Sequence, residues 1–223
     1  MRSQINGLNQ AVNNANDAVG LIQTAEGAMT ETHSMLQRMK TLTTQAANGT
    51  YTSTARGNIK AELDALNKEI TRIATTTAFN GETPLKPANK DTPLTFFIGA
   101  SADSTNAMTV EQQNMTAEEL KVNNLKVSNT TEAFNSMVSV DAAIEKVSTY
   151  RAQLGAAQNR LEHTVNNLKV TSENITSAES RIRDTDMADE ITAYTKNNIL
   201  LQAAQSMLSQ SNAMPQGVLS MLQ

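Results

Sequence analysis

The side chains that could carry metal or acid–base chemistry are few in this chain. His33 and His163 are the only histidines. Neither lies in an HExxH pattern or at metal-ligand spacing from a carboxylate. We therefore interpret both as helix-seam or surface residues.

An acidic run near the C-terminus offers the ligand type that calcium prefers. It comprises Asp184, Asp186, Asp189 and Glu190. The run lacks the glycine and the distal glutamate of an EF-hand loop, so a helix cap and linker is the better interpretation. The sequence also shows no nucleophile elbow and no phosphate-binding glycine loop. It predicts a protein that is not an enzyme and that uses no metal and no cofactor.

Composition narrows the class of protein further. The formal net charge is −4, cysteine is absent, and no basic run occurs, so we expect no nucleic-acid partner. No apolar run is long enough for membrane insertion. The chain lacks a charged start followed by an apolar segment, so we expect no cleavable signal peptide. Export would need another route.

The histidines and the acidic run lie in or beside segments that the sequence predicts to be long helices. Residues 140–183 contain no proline and carry an apolar stripe at alternating spacings of three and four (Ile144, Val147, Leu154, Leu161, Val165, Leu168, Ile175, Ile182). Such a helix needs partners along its length. Similar stripes predict one helix within residues 1–47 and another from beyond Ser53 to about Thr76, and the short connection between them predicts antiparallel neighbours.

The region 79–127 has a different character. Pro84, Pro87 and Pro93 exclude helix from its first part, and the runs 94–99 and 107–110 are typical of short strands. We predict a mainly α fold, an elongated antiparallel bundle of long coiled-coil-like helices with a small β-hairpin region. Helical spacing returns beyond the acidic run.

Several motifs resemble those of one protein family. Residues 154–161, LGAAQNRL, resemble the LGAxQNR signature in the C-terminal region of bacterial flagellins. The segments 178–188 (AESRIRDTDMA), 216–220 (QGVLS), 22–28 (IQTAEGA) and 36–39 (LQRM) are similarly flagellin-like. Because these matches keep their order across nearly the whole chain, we identify the sequence as a member of that family.

The resemblance implies a domain organisation. Residues 1–183 would form a D1-like helical bundle with its β region at 79–125, residues 184–190 a spoke linker, and residues 191–223 a C-terminal D0-like helix. The match begins inside the first D1 helix, so we expect an N-terminal D0 segment, which carries the family's export signal, to be missing. A linker near 127–134 would replace the family's variable outer domains.

The resemblance also implies a function and partners. The chain would be a structural subunit of the bacterial flagellar filament, secreted by the flagellar secretion apparatus and polymerising for motility. Expected partners are further copies of itself, an export chaperone bound through the C-terminal helix, and the filament cap and junction proteins. We assign polymerisation to apolar residues of that helix: Ile191, Tyr194, Leu201, Leu208, Val218, Leu219 and Leu222.

A second implied partner is the innate immune receptor Toll-like receptor 5. The family's receptor-binding residues map to Arg38, Leu42, Gln45 and Glu62. One interpretation makes Leu42 an apolar anchor flanked by Arg38 and Glu62. The other places Arg38 and Glu62 on a solvated helix face and Leu42 in the core.

Two other classes of protein remain as alternatives. A hook–filament junction protein shares the helical termini, but it should lack the C-terminal signatures at 178–188 and 216–220. A different coiled-coil interaction protein would show longer uninterrupted heptads and no β insert.

Overall fold

The computed structural model of the chain describes residues 1–87, 93–101 and 103–221. Four α-helices dominate it: α1 (Arg2–Ala47), α2 (Ser53–Thr76), α3 (Thr130–Arg183) and α4 (Met187–Met221). Two strands, β1 (Leu94–Phe97) and β2 (Ala107–Val110), lie between α2 and α3. This confirms the predicted mainly α class with a small hairpin. The chain divides into two compact units, 1–175 and 176–223.

In the first unit, α1 has α2 and α3 as antiparallel neighbours. Across the α1–α3 seam, Lys40 Nζ lies 2.7 Å from Asp141 Oδ1. Near the other end of the same seam, Ser172 Oγ donates to Asn9 Oδ1 over 3.1 Å. The partners thus run in opposite directions along the two helices. Between these ends the seam buries aliphatic residues (among them Ile22, Met29, Leu36, Val147, Leu154 and Leu161).

The third helix begins earlier than the sequence suggested. Residues 130–134, which we expected to belong to a linker, form its first turn. Asn129 Oδ1 accepts a hydrogen bond of 2.8 Å from the Glu132 backbone N–H, as an N-cap residue does. Ala133 and Ser136 are buried, and Ser136 Oγ exchanges two hydrogen bonds with the backbone of Lys126. Capping and packing together extend the helix into the expected linker.

The hairpin packs on the first half of α1. Strands β1 and β2 pair antiparallel, with Leu94 opposite Val110 and Phe97 opposite Ala107. The side chain of Asn14 donates from Nδ2 to the Phe97 carbonyl oxygen, 3.0 Å away. A Cβ at Gly7 would lie only 3.2 Å from Ala100 Cβ. A small residue at position 7 therefore allows the close approach of residues 99–101 to the helix.

The second unit contains the end of α3 and all of α4. Only residues 184–186 separate these helices, and the last four residues of the expected linker, 187–190, form the first turn of α4. Asp186 Oδ1 accepts a hydrogen bond of 2.9 Å from the Ala188 N–H, which satisfies a free donor at the helix start. The acidic side chains Asp189 and Glu190 in this turn suit the positive end of the helix dipole.

Candidate interaction surfaces

The first candidate surface lies on α1 and α2. Arg38 of α1 donates from Nε to Glu62 Oε1 of α2 over 2.8 Å, and both side chains are exposed. Gln45, two turns further along α1, donates from Nε2 to the hydroxyl oxygen of Tyr51 over 2.8 Å. Residues 38 and 45 are one heptad apart, so the two side chains emerge on the same helix face. Tyr51 is a member of this surface that the sequence did not indicate.

Leu42 does not share that exposure. Its side chain is only 2% exposed, in the core formed by α1, α2 and α3. The structure thus agrees with the second interpretation of Leu42 and not with an exposed apolar anchor. The physical reason is the spacing: position 42 follows Met39 by three residues, and both point to the buried stripe. Leu42 supports the exposed polar residues from beneath.

The second candidate surface lies on α4. Four of the seven residues predicted for polymerisation have described side chains, and all four are exposed: Ile191, Tyr194, Leu201 and Leu208. Val218 and Leu219 belong to the helix, but their side chains fall outside the described part, and Leu222 lies outside the described residues altogether. At about 100° per residue, the four described side chains lie on one side of the helix.

A further apolar group lies on the other side of α4. Ile199, Leu200 and Met207 are exposed as well. A single stripe at three-four spacing does not include them, although their apolar character was visible in the sequence. Between residues 191 and 221 the only charged residue is Lys196. An exposed helix with apolar side chains on two sides and one charge needs apolar neighbours on both sides.

Residues with possible reactive chemistry do not converge. His33 on α1 contacts Gln37 through its Nε2, and His163 is exposed on α3. In the described ranges, no three side chains among His, Asp and Glu come together as a metal site would require. Among those same residues, no helix combines the length and apolar character needed to cross a membrane.

One buried polar side chain was not indicated by the sequence. Asn67 of α2 is 7% exposed, and neither polar atom of its carboxamide has a hydrogen-bond partner among the described residues. It lines a cavity of about 430 Å³ together with Asp64, Lys68, Thr71, Ala117 and Asn123. An unpaired buried amide destabilises a fold by about 1–3 kcal/mol.

Comparison with known protein families finds a match for each end of the chain. Residues 1–90 match the bacterial flagellin N-terminal helical region, and residues 137–222 match the bacterial flagellin C-terminal helical region. The first match includes α1 and α2, and the second includes most of α3 and α4. The helices that carry the two candidate surfaces are therefore the family's shared elements.

Individual relatives agree with these matches. The chain is 45% identical to a flagellin of Bacillus subtilis, over its full length and 83% of the relative. It is 42% identical to the flagellar filament 33 kDa core protein of Treponema phagedenis, over its full length and 82% of that protein. Among solved structures, Bacillus cereus flagellin superposes with a TM-score of 0.62 at 29% identity, covering 75% of this chain and 94% of the other. The chain belongs to the bacterial flagellins, a family of structural proteins of the flagellar filament and not of enzymes.

Proposed function

We propose that this chain polymerises into the flagellar filament through α4. The observation that carries the proposal is the exposure of apolar side chains on two sides of this helix. Burial of such surface contributes roughly 25 cal/mol per Å², and the chain has no cysteine with which a disulfide could assist. Two apolar sides require at least two neighbours, which favours a multi-subunit assembly over a simple dimer.

Assembly by a repeated contact explains how one chain can form a long polymer. When the contacting surfaces on a subunit differ, each added copy leaves a surface free, and a helical filament results if the arrangement does not close. The resemblance to flagellins supports the accompanying assignment of residues 1–183 to a D1-like bundle, 184–190 to a spoke and 191–223 to a D0-like helix.

Electron microscopy of the purified chain after salting-out tests this proposal. Helical filaments are expected once short flagellar filament seeds are added, because seeds present completed binding surfaces. Protein that stays dispersed with seeds, at concentrations where a related full-length flagellin polymerises, would refute the proposed polymerisation.

We also propose that the exposed polar face of α1 and α2 binds Toll-like receptor 5. The proposal rests on the family resemblance and on the arrangement of Arg38, Glu62, Gln45 and Tyr51 on one accessible face. Leu42 would stabilise this face without contacting the receptor directly. Specific polar contacts supported by a rigid helix pair suit a protein–protein interface.

The remaining partners follow from the same family. We propose that an export chaperone covers α4 before assembly, because a helix with so much exposed apolar surface would otherwise associate non-specifically. We propose secretion through the flagellar apparatus and contacts with the filament cap and junction proteins. Co-purification of the chain with a flagellin chaperone tests this proposed binding. The chaperone should no longer co-purify when residues 191–223 are deleted.

A further inference from the structure

The methionine side chains of this chain occupy contrasting environments. Met29, Met39 and Met115 are buried in the first unit. By contrast, Met207 and Met187 on α4 are 72% and 63% exposed. Since the chain contains no cysteine, the thioether sulfur atoms are its softest and most readily oxidised groups. Exposure makes the sulfurs of Met187 and Met207 accessible, as it does that of Met1 at the start of the chain.

Met187 and Met207 differ in what surrounds them. Met207 follows Ala203 and Ala204 by one helical turn and Leu200 by two turns. Met187 is the first residue of α4, between Asp186 and the acidic side chains of the first turn. The surface around Met207 is apolar on its N-terminal side, whereas the surface around Met187 is charged and hydrated.

We propose that Met207 is an oxidation site through which hydrogen peroxide controls assembly of the chain. The effect on assembly rests on the proposed role of α4 in polymerisation. The oxidation itself does not, because it depends only on the accessibility of the sulfur in the unassembled chain.

The chemistry is a two-electron oxygen transfer. A lone pair on the Met207 sulfur attacks one peroxide oxygen, the O–O bond breaks, and an S–O bond forms. The sulfur is oxidised to the sulfoxide, and the departing hydroxide takes the proton of the transferred oxygen to become water. A flexible apolar side chain thereby becomes a polar one that accepts hydrogen bonds.

The consequence differs between the free and the assembled chain. In the free chain the sulfoxide oxygen is hydrated, so the helix persists. Once an apolar neighbour covers this side of α4, the oxygen loses water and gains no donor from Ala203, Ala204 or Leu200, which makes burial unfavourable. We expect a rise of about tenfold or more in the protein concentration needed for assembly. At Met187 the environment is already polar, so oxidation changes assembly little.

Two matched variants separate these positions. Met187→Leu leaves Met207 oxidisable, and Met207→Leu leaves Met187 oxidisable, each in full-length chain that also carries Met214→Leu and Met221→Leu. Leucine preserves apolar volume without an oxidisable sulfur. Each variant is treated with dilute hydrogen peroxide, mapped by peptide mass spectrometry, and assembled by salting-out onto filament seeds.

The expected result has two parts. Met207 is oxidised well before Met29 and Met39. Peroxide raises the protein concentration needed for assembly of the Met187→Leu chain about tenfold or more over its own untreated value, whereas that of the Met207→Leu chain changes little from its own untreated value. Methionine sulfoxide reductase restores assembly. Oxidation of Met207 no faster than Met29, or equal inhibition of both variants, would overturn the inference. Failure of both untreated variants and of the untreated wild-type chain to assemble would instead contradict the proposed polymerisation, and the mapped oxidation rates would still decide the first part.

Discussion

Arg56 of α2 and Ala46 at the end of α1 are joined by a hydrogen bond of 3.0 Å from the guanidinium Nε to the Ala46 carbonyl oxygen. The same guanidinium donates through Nη2 to the Asn48 carbonyl oxygen at 3.1 Å and to Thr130 Oγ1 at 3.3 Å. One cation therefore satisfies carbonyls at the C-terminal end of α1 and connects them to the start of α3.

Replacing Arg56 by methionine should lower the free energy of unfolding of the first unit by about 1–2 kcal/mol, because charge-assisted hydrogen bonds are lost while the aliphatic stem remains. Urea denaturation followed by circular dichroism measures this change. Arg56→Lys should recover only part of it, since an ammonium group lacks the planar fork that reaches several acceptors. A fully stable methionine variant would contradict the role assigned to Arg56.

Asn67 gives a prediction of the opposite sign. Asn67→Leu should raise the free energy of unfolding by about 1–3 kcal/mol, because it removes a buried carboxamide without partners and adds apolar volume beside a cavity. The exposed Asn123, which lines the same cavity, is the matched control, and Asn123→Leu should change stability by less than about 0.5 kcal/mol. Destabilisation by Asn67→Leu would mean that the carboxamide is satisfied in solution.

Tyr150 predicts a change of stability at alkaline pH. Burial raises the pKa of its phenol above the ordinary value, and a hydrogen bond from the Gln113 backbone N–H opposes part of that rise in pKa. Below about pH 10 the folded and unfolded states both hold the proton. Above that pH the unfolded state loses its proton first, so the free energy of unfolding falls until the pH passes the folded pKa.

The comparison of Tyr150→Phe with the wild-type chain isolates this contribution. In urea titrations at a series of pH values, the wild-type chain should lose stability more steeply than the variant as the pH rises above about 10, the usual phenol pKa. Parallel curves for the two proteins would show that Tyr150 titrates alike in both states.

Arg38 tests the proposed receptor surface. Arg38→Ala should lower Toll-like receptor 5 signalling by soluble protein about tenfold, because it removes a charged side chain of the proposed contact face. The fold should persist, since an exposed ion pair contributes only about 0–1 kcal/mol to stability. Arg72→Ala is the control, because Arg72 is an exposed arginine of α2 that also pairs with a glutamate, Glu69. Unchanged signalling by Arg38→Ala, or equal losses in both variants, would refute the surface.

The sequence predicted the helices and the hairpin well, because their signals are local. The apolar stripes of α1 and α2 and the strand-like runs 94–99 and 107–110 could be recognised without knowledge of long-range packing. The early start of α3 also had a local signal, the Asn129-x-x-Glu132 pattern of a helix N-terminus.

The buried face of α3 was only partly predictable. At strict three-four spacing the stripe that contains Ile144 also passes through Arg151 and Gln158. The structure instead buries Ala143, Tyr150 and Ala157, each one position earlier. From Leu161 to Leu168 the prediction and the burial coincide, but Ile175 is only half-buried and Ile182, the last residue of the predicted stripe, is 70% exposed. A straight α-helix drifts by about 20° per heptad from an ideal seven-residue repeat, so one stripe cannot describe a seam of this length.

The candidate surfaces show the same limit. Whether Leu42 is an anchor or a core residue depends on how α1 packs against its neighbours, and the sequence allowed both. On α4, Ile199, Leu200 and Met207 were missed because a single-stripe template assumes one partner. The low charge of this helix was the signal that could have indicated more than one.

The central claim is that α4 drives polymerisation through both of its apolar sides. The most direct measurement is the critical concentration for seeded filament assembly, determined by sedimentation. It compares Leu201→Gln, on the side of α4 that the sequence predicted, with Leu200→Gln, on the second apolar side. Each should raise the critical concentration about tenfold, since a buried leucine contributes roughly 1.5–3 kcal/mol. Gln202→Ala, which removes no apolar surface, should leave it unchanged. Normal assembly by either leucine variant would contradict the account.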